Sequence, residues 1–243
     1  MNAPSTEDLK KIRNELTRMM MAYRFGLNEV STKINILRDE FNYVHEYNPI
    51  EHVSSRLKSP ESILEKAKRR GVGPSIASLR EQVRDIAGIR ITCSFVPDIY
   101  TVYEMLAGQQ DVTVVEVRDY IKNPKPNGYQ SLHVLVEVPV FLSDRVEPVL
   151  VEIQIRTIAM DFWASLEHKI YYKYGRSVPD NLLAELKEAA DTASALDAKM
   201  LRLHHEVRRH EEAHPVPARA ESLELATALR LVESFMLGAA TES

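Results

Sequence analysis

A polar stretch in the middle of the chain, NGYQSLHVLVEV from Asn127 to Val138, puts reactive side-chain types on a predicted strand. Alternate residues of a strand point to opposite faces, so Tyr129, Ser131 and His133 share one face and aliphatic residues occupy the other. A single histidine on a strand is more often structural than functional. Its role therefore depends on the side chains that lie beside it.

The segment PVLVEIQIRT repeats this division and, after a turn near 143–147, predicts the second strand of an antiparallel hairpin. One face is aliphatic, with Val149, Val151, Ile153 and Ile155. The other face is mainly polar, with Leu150, Glu152, Gln154 and Arg156. A solvated sheet face usually favours Lys, Thr and Glu, so this mixture favours a lined cleft, with a solvated face as the alternative.

Basic residues upstream indicate an anionic ligand. Arg56 and Lys58 are two apart in a predicted extended segment, and the helix that follows carries a stripe at i, i+4 and i+7, formed by Ser62, Lys66 and Arg69. The N-terminus of a helix with cations beyond it suits a polyphosphate, although a solvated basic helix is the alternative. The chain has no Walker A loop and no GxGxxG, so a nucleotide must be held in another way.

Two carboxylates suggest a metal. Asp85 stands at the start of the predicted strand in RDIAGIRI, and Glu152 lies on the hairpin. One or two protein carboxylates are the usual ligands of Mg²⁺, which completes its shell with water and phosphate oxygens. The alternative is that Asp85 only caps the turn after Val83.

Helices and strands alternate around these residues. Apolar spacing between Thr6 and Tyr47 predicts one long helix or two consecutive ones, and Ser59 and Gly71 are suited to begin and end a shorter helix. Thr157 is predicted to cap another helix. A last amphipathic helix after HPVPA carries an apolar stripe of Leu225, Leu229, Val232 and Phe235.

The overall composition is that of an ordinary globular protein, with 243 residues, 44% hydrophobic and 27% charged. A net charge of −4 argues against a general nucleic-acid coat protein. The single cysteine, Cys93, lies in an apolar run and is predicted to be a buried thiol. Neither a signal-peptide pattern nor an 18-residue apolar window is found, so we expect a cytoplasmic protein without membrane contact.

Five motifs follow one another along the chain, namely RLKSPESILEKAKRR, RDIAGIRI, KPNGYQSLHV, VEIQIRT and FWASLEHKIYYKY. Together they resemble the synthetase domain of the RelA/SpoT homologue family, specifically its stand-alone small alarmone synthetases. The likeness extends from about Pro49 to Tyr174. Any one motif would be weak, but five in the right order are specific. The resemblance implies a GTP pyrophosphokinase of the stringent response, which transfers the pyrophosphoryl group of ATP to the 3′-hydroxyl of GDP or GTP, gives (p)ppGpp and AMP, and uses Mg²⁺.

The same resemblance implies a role for each matching residue. The adenine of ATP would lie between Arg56 and Arg90, and its phosphates would be held by Lys58, Ser62, Lys66 and Arg69. Magnesium would be bound by Asp85 and Glu152, the latter also acting as general base. Guanine would stack on Tyr129, and the acceptor nucleotide would be surrounded by Lys125, His133, Gln154 and Glu167. Arg118 is an additional candidate for a phosphate contact.

The family also implies an α/β (α+β) fold similar to the nucleotidyltransferases, with a mixed sheet of about five strands surrounded by helices. We expect an N-terminal helical segment at 1–48, a catalytic core at 49–176 and oligomerising C-terminal helices at 177–243. Small synthetases are commonly homotetramers, and some bind (p)ppGpp as an allosteric ligand between subunits. The region that would contribute here, Arg38 and 51–54, matches only in part.

Two positions depart from the family pattern. Gln130 replaces an arginine that small synthetases often carry, and Asp161 replaces an asparagine, which we expect to affect the choice between GDP and GTP. No hydrolase activity is expected, because the chain contains no His-Asp dipeptide. The alternative function is a catalytically weak or inactive nucleotide- or RNA-binding regulatory module. The acidic pI argues against RNA as its primary partner, although a local basic patch could bind single-stranded RNA.

Overall fold

The computed structural model describes residues 5–73, 75–173, 179–214 and 230, and it divides the chain into two compact units, 1–199 and 200–243. Within the described ranges the strands are β1 Ile50–Leu57, β2 Ala87–Cys93, β3 Thr113–Asp119, β4 Leu132–Phe141 and β5 Val146–Thr157. The helices in those ranges are α1 Thr6–Val44, α2 Pro60–Arg69, α3 Ile76–Gln82, α4 Val96–Ala107, α5 Ile158–Lys173 and α6 Asp180–Ala213.

The strands form one sheet in the order β1-β2-β5-β4-β3. Strands β2 and β5 are parallel, and the other three neighbouring pairs are antiparallel. The predicted mixed sheet of about five strands is therefore confirmed, as is the β4–β5 hairpin. The parallel pair brings together two segments that lie about sixty residues apart in the sequence, which a local pattern does not reveal.

One face of the sheet is the core. Val151, Ile153 and Ile155 of β5 are at most 1% exposed, as the alternation of the strand predicted. Helix α1 packs so closely here that a Cβ on Gly26 would lie 2.6 Å from Cγ1 of Val149. Each fully buried aliphatic side chain stabilises the fold by roughly 1.5–3 kcal/mol, so this face dominates the stability of the sheet.

The predicted helix ends are confirmed where caps were expected. The Ser59 hydroxyl accepts a hydrogen bond from the Ser62 N–H at 3.3 Å, and Gly71 has φ +67° just after α2. The Thr157 hydroxyl accepts from the Met160 N–H at 3.1 Å and caps α5. These caps fix where α2 and α5 begin relative to the strands that precede them.

Other predictions about the chain have mixed outcomes. The N-terminal periodicity belongs to one helix of 39 residues, and Cys93 is fully buried as predicted. The amphipathic stripe from Leu225 to Phe235 lies outside the described residues. Across the part of the chain that the structure describes, no helix has the length and apolar character of a membrane span.

Candidate active site

The polar face of the sheet aligns predicted site residues in rows that run across the strands. The register pairs Arg90 of β2 with Gln154 of β5, Gln154 with His133 of β4, and His133 with Arg118 of β3. Residues paired directly across neighbouring strands point to the same face. Four side chains that the sequence predicted separately therefore lie side by side.

A second row lies next to the first and contains the predicted base. Arg56 of β1 pairs with Gly88, Gly88 with Glu152, Glu152 with Leu135, and Leu135 with Glu116 of β3. Gly88 has no side chain, so the space between Arg56 and Glu152 stays open. Arg56 pairs with Gly88, two residues before Arg90 on β2. The two predicted adenine-binding arginines therefore lie in adjacent rows on neighbouring strands.

Asp85, just before β2, is bound by two lysines. Its Oδ2 accepts from Nζ of Lys58 at 2.6 Å and from Nζ of Lys66 at 2.5 Å. Lys58 follows β1 and Lys66 lies on α2, so the carboxylate joins three segments. The cap at Ser59 fixes the start of α2, and Lys66 on this helix lies next to Asp85.

The environment of Asp85 keeps it ionised. Burial would raise the pKa of Asp85, but the hydrogen bonds and charges of Lys58 and Lys66 outweigh burial and lower the pKa to about 2. Burial also lowers the pKa of Lys58, against the opposing effect of Asp85. The result is a carboxylate that remains an anion throughout the neutral range.

This pKa predicts how stability depends on pH. The pKa of Asp85 is about 2 in the folded chain, below the ordinary aspartate value of 3.8, so the unfolded chain takes up the proton first as pH falls. The contribution, about 2 kcal/mol at neutral pH, should therefore be present above about pH 4 and disappear towards pH 2. We expect the difference in unfolding free energy between wild type and Asp85→Asn, measured by urea titration, to shrink by about 1 kcal/mol between pH 7 and pH 3. A difference that stays constant with pH would contradict the assignment.

Asp85 and Glu152 suit a hard divalent cation. Oδ1 of Asp85 is buried and has no hydrogen-bond partner, whereas buried carboxylate oxygens normally have at least one. Glu152 lines the same cavity. Carboxylate oxygens are the donors that Mg²⁺ prefers, and the described residues contain no group of three or more metal-ligating side chains that would favour zinc. The residues present therefore fit a magnesium ion whose remaining ligands are phosphate and water.

Glu152 is held by its two neighbours in the first row. Its Oε2 accepts from Nε2 of Gln154 at 3.0 Å, and its Oε1 lies 3.4 Å from Nδ1 of His133. Burial would raise the pKa of Glu152, but His133 and Gln154 lower it more, and the net shift is downward. Glu152 is thus an oriented carboxylate that is ready to accept a proton at neutral pH.

Aromatic rings form the side of the site next to β4. The hydroxyl of Tyr129 lies 2.8 Å from Nε2 of His133, and the ring of Tyr120 meets His133 edge-on at 5.1 Å. Burial raises the pKa of Tyr129 to about 12, so its hydroxyl stays protonated and can donate to the imidazole. Nζ of Lys125 lies 4.5 Å from the centre of the Tyr129 ring. A flat ring beside a cation is suited to a nucleobase and its phosphates.

Gly128 allows the tight turn of the loop before Tyr129 and its close approach to α6. Gly128 has φ +87°, and a Cβ there would lie 2.5 Å from Cβ of Ala190 on α6. Beside it, Nδ2 of Asn127 donates to Oε1 of Glu167 on α5 at 3.1 Å. The loop that carries Tyr129 is therefore fixed by both α5 and α6, and only glycine fits its turn.

We expect Gly128→Ala to destabilise the fold by about 1–3 kcal/mol, through the positive φ and the overlap with α6. Urea denaturation measures this change directly. Gly73→Ala is the matched control, because a Cβ on Gly73 would meet only Oγ of Ser78, at 3.8 Å. Equal effects of the two substitutions would exclude the tight contact with α6 as the cause.

A cavity of about 390 Å³ opens between this face and helices α2 and α3. Five of its lining residues were predicted from the sequence, namely Lys66, Asp85, Arg118, His133 and Glu152. Others were not, including Arg70, Arg84 and Glu116. Glu116 binds Nε of Arg118 at 2.6 Å and lies 3.6 Å from Nη1 of Arg84. Alternation along β3 puts Glu116 and Arg118 on one face. This pattern could have identified Glu116 from the sequence.

Some predicted residues lie away from the cavity lining. Arg69 is exposed on α2, and its neighbour Arg70 lines the cavity instead. The Ser62 hydroxyl is 3.1 Å from Oγ of Ser59, so it takes part in the helix cap. The predicted strand from Asn127 is shorter in the structure, because β4 begins at Leu132 and leaves Tyr129 and Ser131 in the loop before it. Ser131 is fully buried and donates to the carbonyl of Ile155. It is a structural residue.

Comparison with known proteins shows the family of the chain. Residues 55–177 match the family model described as a region found in RelA / SpoT proteins. Over 201 residues the chain is 52% identical to GTP pyrophosphokinase YwaC of Bacillus subtilis (strain 168), covering 83% of this chain and 96% of that protein.

Solved structures give the same result. The chain matches small alarmone synthetase 1 from Bacillus subtilis bound to its product pppGpp, with TM-score 0.73 and 41% identity over 79% of this chain and 97% of that one. The same enzyme bound to AMPCPP matches with TM-score 0.69 and 38% identity, over 81% of this chain and 99% of that one. The chain therefore belongs to the RelA/SpoT family, as one of its small alarmone synthetases.

Proposed function

We propose that this protein transfers the β,γ-pyrophosphoryl group of ATP to the 3′-hydroxyl of GDP or GTP. The 3′-oxygen forms a bond to the β-phosphorus of ATP, and the bond from that phosphorus to the α–β bridging oxygen breaks. AMP leaves with the bridging oxygen, and the product is ppGpp or pppGpp. The enzyme is a GTP pyrophosphokinase.

The observation that carries this proposal is the placement of Glu152. Its carboxylate is oriented by His133 and Gln154 and lies in the same cavity as Asp85 and Lys66. A general base must be ionised and within reach of the proton that it removes. The lowered pKa of Glu152 satisfies the first condition, and its place in the lining of the cavity supports the second. We assign it the proton of the attacking 3′-hydroxyl.

Magnesium would be held by Asp85 and Glu152, and when bound it would neutralise negative charge on the phosphate chain. Lys58 and Lys66 already lie against Asp85, so the phosphates of ATP would meet both ammonium groups close to the metal ligand. Arg56 and Arg90, which lie on the neighbouring strands β1 and β2, would hold the adenine between them. Ser62 and Arg69 remain predicted phosphate contacts on α2.

The acceptor would bind on the β4 side. Guanine would stack on Tyr129, and Lys125, whose Nζ lies against that ring, would take a phosphate oxygen. His133 and Gln154 would orient the ribose next to Glu152, Glu167 would support the loop through Asn127, and Arg118 would meet phosphate at the mouth of the cavity. Phosphoryl-type transfer depends mainly on such positioning and charge neutralisation.

The stacking role of Tyr129 makes a prediction about substrate affinity. Loss of a base–aromatic stack costs about 1–3 kcal/mol, so Tyr129→Ala should raise KM for GDP about fivefold to 150-fold. KM for ATP should change little. Steady-state kinetics with each substrate varied in turn measures both values.

Two controls separate stacking from the hydroxyl and from general damage. Tyr129→Phe keeps the ring and removes the hydrogen bond to His133, so it should retain most of the affinity for GDP. Phe141→Ala alters an aromatic side chain that is 75% exposed at the end of β4 and lies outside the cavity lining, so it should have no effect. Equal increases in KM for GDP and ATP in Tyr129→Ala would contradict the role.

Incubation with Mg²⁺, γ-labelled ATP and either GDP or GTP, followed by thin-layer separation, tests the reaction itself. A labelled guanosine tetra- or pentaphosphate that requires the acceptor would establish transfer, and comparison of the two acceptors gives the preference. The absence of product with both acceptors, even with added pppGpp, would support the nucleotide- or RNA-binding module instead.

We also propose a cytoplasmic homotetramer. Exposed apolar side chains along α1, among them Phe25, Ile36 and Tyr43, support an assembly through the N-terminal helix. The division into 1–48, 49–176 and 177–243, an allosteric (p)ppGpp site between subunits and binding of single-stranded RNA remain predictions.

A further inference from the structure

Asp161 lies in the first turn of α5, above the polar face of the sheet, and contacts two arginines. Its Oδ1 is 3.0 Å from Nε of Arg156 and 3.5 Å from Nη1 of Arg90. Arg90 and Arg156 point to the same face, because Arg156 pairs with Thr92, two residues after Arg90. One carboxylate therefore serves two cations from neighbouring parallel strands.

Arg156 needs this carboxylate. Its side chain is only 2% exposed, and among the described residues Asp161 is the acidic side chain that lies within ion-pair distance. Nε and Nη2 of Arg156 make no hydrogen bond. A guanidinium buried this deeply is costly without an opposite charge, so Arg156 holds the Asp161 carboxylate in place.

Arg90 is on the exposed side of the same carboxylate. Its Nε is buried without a hydrogen bond, while 42% of its side chain is exposed. Within the described ranges Asp161 is the ion-pair partner of Arg90. A carboxylate that attracts one Nη atom leaves the flat faces of a guanidinium free to stack on a base.

We infer that Asp161 is a positioning residue for ATP, which fixes the guanidinium of Arg90 for the adenine. This inference rests on the adenine-binding role that the proposed function gives to Arg90. It replaces the expectation from the sequence that the acidic residue at this position affects the choice of acceptor. The contacts of Asp161 are with β2 and β5, whereas the predicted acceptor residues Tyr129 and His133 belong to β4 and the loop before it.

Asp161→Asn is the informative substitution, because it keeps the shape and an acceptor oxygen and removes only the charge. Binding of AMPCPP, measured by isothermal titration calorimetry, should weaken about twofold to fivefold, as expected for a half-exposed ion pair. KM for ATP should rise by the same factor. KM for GDP, KM for GTP and the ratio of turnover with the two acceptors should stay unchanged.

A double-mutant cycle shows whether Asp161 acts through Arg90. In the background of Arg90→Ala, Asp161→Asn should no longer change the affinity for AMPCPP. An additive effect of the two substitutions would overturn the inference. So would a shifted GDP-to-GTP ratio with unchanged affinity for AMPCPP, or a wild-type protein that does not bind AMPCPP.

Asp161→Asn leaves the buried Arg156 without its counter-charge and could therefore destabilise the fold. A second variant separates this loss of stability from the positioning role. Combining Asp161→Asn with Arg156→Met removes both buried charges and restores packing, while Arg90 still lacks its partner. The same loss of AMPCPP affinity is expected, and unchanged affinity in the folded double variant would overturn the inference. Because calorimetry needs no turnover, failure of the transfer reaction and failure of the positioning role give different results.

Discussion

Replacing Glu152 by glutamine should lower the turnover of the synthetase reaction by at least about 10²- to 10³-fold. Glutamine keeps the size of the side chain and its hydrogen bond with Gln154, but it cannot accept the proton of the 3′-hydroxyl or supply a charged metal ligand. The affinity for AMPCPP should fall much less than turnover, because the contacts proposed for ATP are mostly with cationic side chains. Labelled product formed per minute, at saturating ATP and GDP, measures the effect.

Glu137→Gln is the matched control. Glu137 lies on the same strand face as His133, pairs with Leu150 of β5 and is outside the lining of the active-site cavity. The same chemical change at that position should leave turnover within about twofold of wild type. Near-wild-type turnover in Glu152→Gln would refute the role of Glu152, and equal losses in both variants would indicate general damage to the sheet.

Asp85→Asn should have the second large effect, a loss of turnover of about 10²-fold or more. The substitution removes one of the two carboxylates proposed for magnesium and frees Lys58 and Lys66 from their common partner. The half-saturating concentration of Mg²⁺ should also rise at least about tenfold, because a neutral amide is a weaker ligand than a carboxylate. Activity measured across a magnesium titration distinguishes the two effects.

Asp144→Asn serves as the control for Asp85→Asn. Asp144 lies in the β4–β5 turn with a side chain that is 69% exposed. Its substitution should change neither turnover nor the magnesium requirement. If excess Mg²⁺ fully restored Asp85→Asn, Asp85 would act only through the metal; if the magnesium requirement stayed the same, Asp85 would not be a metal ligand.

The sequence predicts the elements well where local rules dominate. Ser59, Pro60 and Gly71 define α2, and the alternation of Val151, Ile153 and Ile155 identifies the buried face of β5. These features depend on neighbours a few residues away, so they are readable from the sequence. The rows of the active site follow from the same alternation once the register is known.

What the sequence could not predict depends on long-range pairing. The parallel contact between β2 and β5 decides that Arg90 lies beside Gln154, and no local pattern contains that information. The shared carboxylates are a similar case, because Asp85 meets Lys66 and Asp161 meets Arg156 only after α2 and α5 pack on the sheet. Arg156 appeared to be a cleft residue by alternation, yet α5 buries it.

The row of Arg90, Gln154, His133 and Arg118 has a consequence for folding. Its four members come from four strands, and the largest gap between neighbours in the row separates residues 90 and 154. Contacts of such large sequence separation carry a loop-closure cost and slow folding. No fragment of the chain that lacks one of these strands can retain the row, so recovered activity after dilution from denaturant reports the assembly of these four strands.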